Sequence, residues 1–306
     1  MAKIYDMIII GGGPGGYTAA LYGARAALRT LVLEKLSAGG QMALTHQVDN
    51  YPGFQNGIDG FTLGMNMEAG AQRFGAETEL AEVLSADLES SPKVIRTSEG
   101  DYLARTVVIA TGASPRELGI PKEKELVGQG VHYCAACDGM FYRGKRVVIV
   151  GGGNSAAADA MVLSRLCEEV ILVHRRDTLR ATKIYHEPLM QTKNVRFLWN
   201  SAVTELHADG KLTGVTVTNL HSGEEEFLPV DGIFISIGRK PSSELFRDQL
   251  PLDDSGYIIA DESTRTSIPG VFAVGDVRTK QVRQIITAAA DGAVAAHYAE
   301  EYLAEL

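Results

Sequence analysis

Long apolar stretches are missing from this 306-residue chain, which has no uninterrupted run near the roughly 18 residues that a membrane span needs. The opening segment "MAKIYDMIII" turns straight into "GGGPGG". It lacks the cleavage region of a signal peptide, so the sequence predicts a cytoplasmic protein. Cysteine is scarce: three residues are too few for a disulfide framework. In a reducing compartment a C-x-x-C pair points instead to catalysis or metal binding. An excess of positive charge is also absent. A formal charge of −9 argues against general affinity for nucleic acid but leaves room for local phosphate-binding patches. What remains is an ordinary globular composition, 45% apolar and 22% charged, in a chain long enough for two domains.

One motif occurs twice. In "YDMIIIGGGPGGYTAALYGARAALRTLVLE" an apolar strand from about Met7 to Ile10 feeds Gly11, Gly13 and Gly16 in G-x-G-x-x-G spacing. A small-residue helix follows, then a second strand ending at Glu34. In "KRVVIVGGGNSAAADAMVLSRLCEEVILVHRR" the strand Val147 to Val150 leads to Gly151, Gly153 and Ala156, and the next strand ends in His174, Arg175 and Arg176. The first glycine permits a tight turn, the second lets the backbone approach a pyrophosphate, and the small third residue lets helix and strand pack. Phosphates then sit at the helix N-terminus, where unpaired N–H groups and the dipole favour negative charge. A lone motif is weak evidence; two copies in strand–turn–helix–strand context predict two dinucleotide sites.

The copies differ where the second strand ends. Glu34, about 20 residues beyond the first glycines, can accept hydrogen bonds from ribose hydroxyls and would repel a 2′-phosphate. The second copy offers Arg175, Arg176 and Arg180, whose guanidinium groups suit a phosphate dianion. The first site is therefore expected to take an adenine nucleotide without a 2′-phosphate and the second NADPH, with electrons passing between them.

The first domain does not end where the second motif begins. A helix is expected from about Gly60 to Gly75, then a strand-rich stretch to Arg96 and a strand from Thr106 to Ala110 running into a Thr111-Gly112 turn. The segment "DGIFISIGRKP", 231 to 241, is the counterpart in the second motif. "TSIPGVFAVGDV" adds a strand with Asp276 at its end, and a helical pattern closes the chain. This order predicts an α/β fold of two Rossmann-like, three-layer nucleotide-binding domains, 1–115 with 242–306, and 116–241 inserted between them. The junctions "GASPRE" and "GRKPSS" combine Gly, Pro and Ser, as hinges require.

Ahead of the second glycine motif stands "HYCAACDGMFY", with Cys134 and Cys137 followed by Asp138. Such a pair can be half a zinc site, a reversible disulfide, or two thiols that happen to be close. Zinc needs about four N/S ligands; the pair with His132 makes at most three, and no second C-x-x-C is present. Cys167, in "SRLCEEV" toward the end of a helix, reads as a small half-buried hydrophobe.

Together the two glycine motifs, "VIATGA", "CAACDG", "HRRD" and "VFAVGD" resemble the low-molecular-weight, bacterial-type thioredoxin reductases, in the same order over essentially the whole chain. The specific part is C-x-x-C-D just before the second motif. The larger disulfide reductases carry their pair soon after the first motif, where this chain has "GGQMALTHQVDNYPGF" without cysteine. No room is left for their C-terminal interface domain. The resemblance implies FAD in the first site, held by Gly11, Gly13, Pro14, Gly15, Glu34, Gln41, Asn50, Val83, Ala110, Thr111 and Gly112. Asp276 would hydrogen-bond the ribityl chain, with Arg283 and Gln284 near the flavin. It implies NADPH on Gly153, Asn154, Ser155, His174, Arg175, Arg176 and Arg180, a homodimer, and thioredoxin as the substrate.

The same resemblance makes Cys137 the flavin-facing sulfur and Cys134 the one that attacks thioredoxin. Asp138 is then placed to carry a proton to or from the thiols; the alternative is an Asp that caps the following turn. One flavin must meet both nicotinamide and disulfide while the thiols also reach a protein, so the resemblance implies large domain rotation. Same-fold alternatives are a flavoprotein reducing a peroxiredoxin partner or a small-molecule disulfide, and a dithiol oxidase using oxygen. Peroxiredoxin-reducing relatives carry a thioredoxin-like N-terminal extension, whereas this chain starts at the first glycine motif. Such oxidases often lack a working NADPH site, whereas three arginines stand here. Because thioredoxins are usually acidic, a basic patch of Arg143, Lys145 and Arg146 is expected to receive the partner.

Overall fold

Met7, Ile8, Ile9 and Ile10 are all buried, as befits a parallel strand covered on both faces. They form β1 (Ile4–Ile10) in the computed structural model, which describes residues 3–45 and 47–306 and so leaves Met1, Ala2 and His46 outside. From β1 the chain runs through α1 (Pro14–Arg25), β2 (Thr30–Glu34), α2 (Gly60–Gln72), β3 (Glu77–Leu80), β4 (Val83–Asp87), β5 (Lys93–Thr97), β6 (Gly100–Ile109) and β7 (Ala113–Pro115). It continues through β8 (Val131–His132), α3 (Ala135–Asp138), β9 (Arg146–Val150), α4 (Asn154–Ser164), β10 (Glu169–His174), α5 (His186–Gln191) and β11 (Val195–Trp199). Next come β12 (Ser201–Asp209), β13 (Lys211–Asn219), β14 (Glu225–Pro229), β15 (Gly232–Ile235), β16 (Arg239–Pro241), β17 (Val271–Ala273) and α6 (Ile285–Ala304). The α/β class expected from the sequence holds.

The chain divides into two units, Met1–Ser114 with Lys240–Leu306, and Pro115–Arg239. In the first, one sheet has the order β3-β2-β1-β6-β5-β4, and β17 also pairs with β6. β6 is longer than the expected strand because, besides β1, it serves two neighbours in succession. Its start, Gly100–Ala104, pairs antiparallel with β5, and its end, Val107–Ile109, pairs parallel with β17. Alternate residues enter separate cores. Ile8, Ile10, Leu31 and Leu33 join one cluster; Met7, Ile9 and Val32 join the other, with Ala19 and Ala20 of α1 and Ala295 of α6. Each large side chain so buried contributes about 1.5–3 kcal/mol. Small residues let α1 and α6 touch: a Cβ on Gly292 would overlap the Gly15 carbonyl oxygen. α2 stops before the expected Gly75, which takes φ +97° and ends the helix.

The second unit holds an all-parallel sheet of order β11-β10-β9-β15-β8 and an antiparallel meander β12-β13-β14. Leu206, Val215 and Leu228 of the meander share a core with Val148, Ile171 and Ile233 of the sheet. α4 ends at Ser164, so Cys167 lies beyond the helix and not near its end; its N–H still donates to Leu163 O at 2.8 Å. Cys167 is fully buried, not half-buried, and burial first, then nearby Asp231, pushes its thiol up to about 11. Among the described residues no helix is long and apolar enough to cross a membrane.

Candidate functional site: two glycine turns and a disulfide turn

In the first unit the turn after β1 leaves no room for a side chain at Gly11 or at Gly16. Gly11 has φ +107°, and a Cβ there would stand 2.5 Å from Ala110 O; one on Gly16 would overlap Gly11 O. Pro14 and Gly15 begin α1, and Gly13 at its N-cap has open space around its missing Cβ and no side-chain cap. The first N–H groups of α1 therefore remain for an anion. Glu34, at the end of β2, accepts the Gly12 N–H at 2.6 Å and the Leu36 N–H at 3.0 Å, fastening the turn. Ala110, Thr111 and Gly112 follow β6. The Ala110 N–H donates to Ile10 O at 2.8 Å, and Thr111 Oγ1 donates to Ser242 O at 2.7 Å.

Residues distant in sequence also meet here. Asn50 Nδ2 donates to Gln284 Oε1 at 3.1 Å, and the Gln284 N–H donates to Thr287 Oγ1 at 3.0 Å as α6 begins. The Arg283 guanidinium lies 4.0 Å over the Tyr257 ring, and its Nε is buried without a hydrogen-bond partner among the described residues. Gln41 is exposed in the short turn Gly40–Leu44, and Val83 opens β4 at an edge of the sheet. Asp276 lies in the turn Gly275–Val277, whose Gly275 N–H is held by Asp291 Oδ2 at 2.8 Å.

The second unit repeats the arrangement with different chemistry. Gly151 has φ +144°, and a Cβ there would stand 2.8 Å from the Ala156 Cβ. Gly153 caps α4 without a side-chain cap, and Ser155 is exposed in the first turn. The arginine segment is tied to this turn: Gly152 O accepts the Arg180 N–H at 2.6 Å and the Ala181 N–H at 3.0 Å, and Asn154 Oδ1 accepts the Thr182 N–H at 2.7 Å. Arg175, Arg176 and Arg180 are exposed, and among the described residues none is paired with a carboxylate. His174 packs its ring on Gly152 and is buried. Burial first, then Arg176, Arg175 and Arg180, holds it below the usual imidazole range. Uncapped helix starts with glycine cradles, plus unpaired arginines in one copy, fit a dinucleotide in each unit.

Cys134 and Cys137 are closed as a disulfide, and the turn between them is α3, where the Cys137 and Asp138 N–H groups both donate to Cys134 O. Met140 and Phe141, exposed, follow immediately. Of the three cations beside the dithiol, Arg146 is committed to Glu169 at 2.7 Å, which leaves Arg143 and Lys145 on the surface. Asp138 does not cap the following turn with its side chain. Its Oδ2 lies 3.1 Å from His132 Nδ1 in β8, and His132 Nε2 lies 2.6 Å from Tyr142 Oη. Burial first, then Asp138 and Asp231, pushes the Tyr142 hydroxyl up to about 12. From sequence alone His132 suggests only a third metal ligand, and Tyr142 does not stand out. A histidine two residues before a C-x-x-C was the available signal.

Two nucleotide-type turns and a disulfide turn in the unit with the arginines define a dinucleotide-dependent disulfide oxidoreductase of α/β fold. The family model described as pyridine nucleotide-disulphide oxidoreductase matches residues 5–292. A protein named thioredoxin reductase from Peptoclostridium acidaminophilum is 45% identical, the match covering 99% of this chain and 98% of that protein. The crystal structure of thioredoxin reductase from Streptococcus pyogenes MGAS5005 superposes with a TM-score of 0.94 at 40% identity, covering all of both chains. That of Lactococcus lactis thioredoxin reductase, described as the FR conformation, gives 0.69 at 41% identity, covering 99% of this chain and 100% of that one. The chain belongs to the pyridine nucleotide-disulphide oxidoreductase family, whose members use a flavin and a pyridine nucleotide.

Proposed function

We propose that this chain is a thioredoxin-disulfide reductase, passing electrons from NADPH through FAD and the Cys134–Cys137 dithiol to thioredoxin. The observation that carries the reading is the closed disulfide in the unit that also holds the arginine-bearing glycine turn. Met1–Ser114 with Lys240–Leu306 is then the FAD domain and Pro115–Arg239 the NADPH domain, in a cytoplasmic homodimer. Bound FAD would supply the two-electron chemistry that links the nicotinamide to the disulfide.

The chain's own residues do the rest. Gly11, Gly13, Pro14 and Gly15 present the α1 N-terminus to a pyrophosphate, and Glu34 keeps the turn closed. Gln41, Asn50, Val83, Ala110, Thr111, Gly112, Asp276, Arg283 and Gln284 complete the flavin side. Gly153, Asn154 and Ser155 present the α4 N-terminus, and His174, Arg175, Arg176 and Arg180 take the 2′-phosphate end, where an always-charged bidentate donor favours NADPH over NADH. Reduced Cys134 attacks the substrate disulfide, forming a mixed disulfide and releasing one substrate thiolate. Cys137 then gives its proton to Asp138 and attacks the Cys134 sulfur, closing the pair and releasing the second thiolate. Exposed Met140 and Phe141 beside the turn, with Arg143 and Lys145, suit an acidic protein surface better than a small disulfide.

Rotation of one domain against the other lets the dithiol alternate between flavin and substrate. The differing TM-scores of two relatives of nearly equal identity and coverage support it, as units turned as rigid bodies would give that spread. The test compares NADPH oxidation by the purified flavoprotein with thioredoxin, peroxide, oxygen and small disulfides as acceptors. Thioredoxin is expected to be preferred; a faster rate with oxygen or a small disulfide would refute the reading.

A further inference from the structure

His132 has no part in the chemistry above, yet it is among the most closely held polar side chains near the dithiol. It is 7% exposed and stands in β8 opposite Phe234 of β15, against whose ring it stacks with 5.2 Å between centroids. The Tyr142 ring meets both of these rings edge-on, at 5.1 Å and 5.4 Å, and its back is against Gly232, where a Cβ would collide with it. The imidazole therefore cannot turn without unpacking three rings. Its two nitrogens point at two partners, Asp138 Oδ2 at 3.1 Å and Tyr142 Oη at 2.6 Å.

That arrangement selects a tautomer. A carboxylate facing a bare ring nitrogen would set lone pair against lone pair, so the proton of a neutral imidazole belongs on Nδ1, facing Asp138. Nε2 is then an acceptor, and the Tyr142 hydroxyl donates to it. Tyr142 keeps its proton across the working pH range, because burial, then Asp138 and Asp231, disfavour the phenolate. The other titratable groups around the ring are few. Lys145 Nζ lies 5.2 Å over the Tyr142 ring, buried Cys167 shares a core cluster with Tyr142, and Cys134 and Cys137 both precede Asp138 in sequence.

We propose that His132 is a positioning residue for Asp138: it occupies Oδ2 from Nδ1, with Tyr142 fixing the tautomer, so that Oδ1 is the oxygen that exchanges a proton with Cys137. The proposal rests on the reading of Asp138 as the acid–base group of the dithiol. During substrate reduction the proton leaves Cys137 Sγ for Asp138 Oδ1 as that sulfur attacks Cys134, and passes on to the departing substrate thiolate. His132 keeps its own proton throughout. A held carboxylate offers one orientation, and one free oxygen, to the sulfur.

The test follows single-turnover oxidation of the reduced, flavin-loaded enzyme by oxidised thioredoxin between pH 5.5 and 9. His132→Phe keeps the ring stack and removes the donor. It is expected to slow the reaction roughly ten- to a hundred-fold, within the range of acid–base catalysis. His132→Asn, whose amide replaces the Nδ1 donor, should recover most of the rate. Flavin reduction by NADPH should be unchanged in both variants, which also reports that they are folded and loaded. Asp138→Asn should be slow, and adding His132→Phe to it should cost nothing more, because the two act as one unit. A wild-type rate and profile in His132→Phe beside a slow Asp138→Asn would overturn the proposal, as would His132→Asn as slow as His132→Phe. A wild-type rate in Asp138→Asn would instead refute the acid–base reading of Asp138 itself, and the role of His132 with it.

Discussion

Replacing Asp291 by Asn removes the carboxylate that holds a buried cluster beside the Gly275–Asp276 turn. Asp291 Oδ2 accepts from the Gly275 N–H at 2.8 Å, Arg278 Nε at 2.9 Å and Lys280 Nζ at 2.8 Å, and Oδ1 accepts from Arg278 Nη2 at 2.8 Å. The side chains of Arg278, Lys280 and Asp291 are 1%, 5% and 7% exposed. Arg278 also meets the Glu262 carboxylate, at 3.4 Å, but that side chain is 90% exposed. An Asn side chain keeps the shape but turns an acceptor into a donor and leaves two buried cations facing each other. Breaking a buried pair from one side costs about 3–5 kcal/mol. For a unit of this size each kcal/mol is worth about 2–4 °C in Tm, so the loss should be roughly 6–20 °C at pH 7. Thermal unfolding followed by circular dichroism, with flavin fluorescence reporting release, is the assay. Burial pushes Asp291 up, but hydrogen bonds from Arg278, Lys280 and the Gly275 N–H outweigh it and hold the carboxyl below its usual range. A depressed carboxyl contributes stability that is complete above its unfolded pKa of about 3.9 and is lost as pH falls through the folded value. The gap between the variant and the natural protein should therefore begin to narrow only below about pH 4 and close only once the pH falls below the depressed folded value. A Tm within 2 °C of the natural protein at pH 7, or a gap that persists in acid, would refute this account of the cluster.

Two further outcomes are expected. Arg175→Ala with Arg176→Ala should lower kcat/KM for NADPH by roughly ten- to a hundred-fold or more, since a charge-assisted hydrogen bond is worth about 1.5–3 kcal/mol, and leave NADH nearly unaffected; steady-state kinetics with both coenzymes decides it. A verified cross-link locking the two units should stop turnover with thioredoxin while sparing one half-reaction; full turnover in the locked protein would exclude rotation.

Much of the framework was legible because its signals are local. The strand–glycine–helix–strand units at Gly11 and Gly151 need only spacing, small residues and a buried apolar run, and β1, β2, β9 and β10 stand where those patterns predict them. The meander β12–β14 was not foreseen, although Val203, Val215 and Val217 carry alternation that could have shown it. Register shifts between Val203 and Glu205 and between His207 and Ala208 interrupt the two-residue period along β12, so the alternation blurs when that strand is read singly. The His132–Asp138–Tyr142 contacts and the Arg278–Lys280–Asp291 cluster were illegible for another reason. Tyr142 meets His132 through the packing of the β8–β15 pair, and Asp291 meets Arg278 only once α6 lies against the Gly275 turn. The usual behaviour of a free cysteine suggests a half-buried Cys167, whereas its full burial depends on the core it joins with Leu163 and Val170 once α4 has ended.

The claim at the centre is that electrons leave through Cys134 and Cys137. It is tested most directly by Cys134→Ser, assayed for flavin bleaching by NADPH and for thioredoxin reduction side by side. The account predicts flavin reduction at the natural rate and no thioredoxin reduction. Thioredoxin reduction that survives the substitution would contradict it.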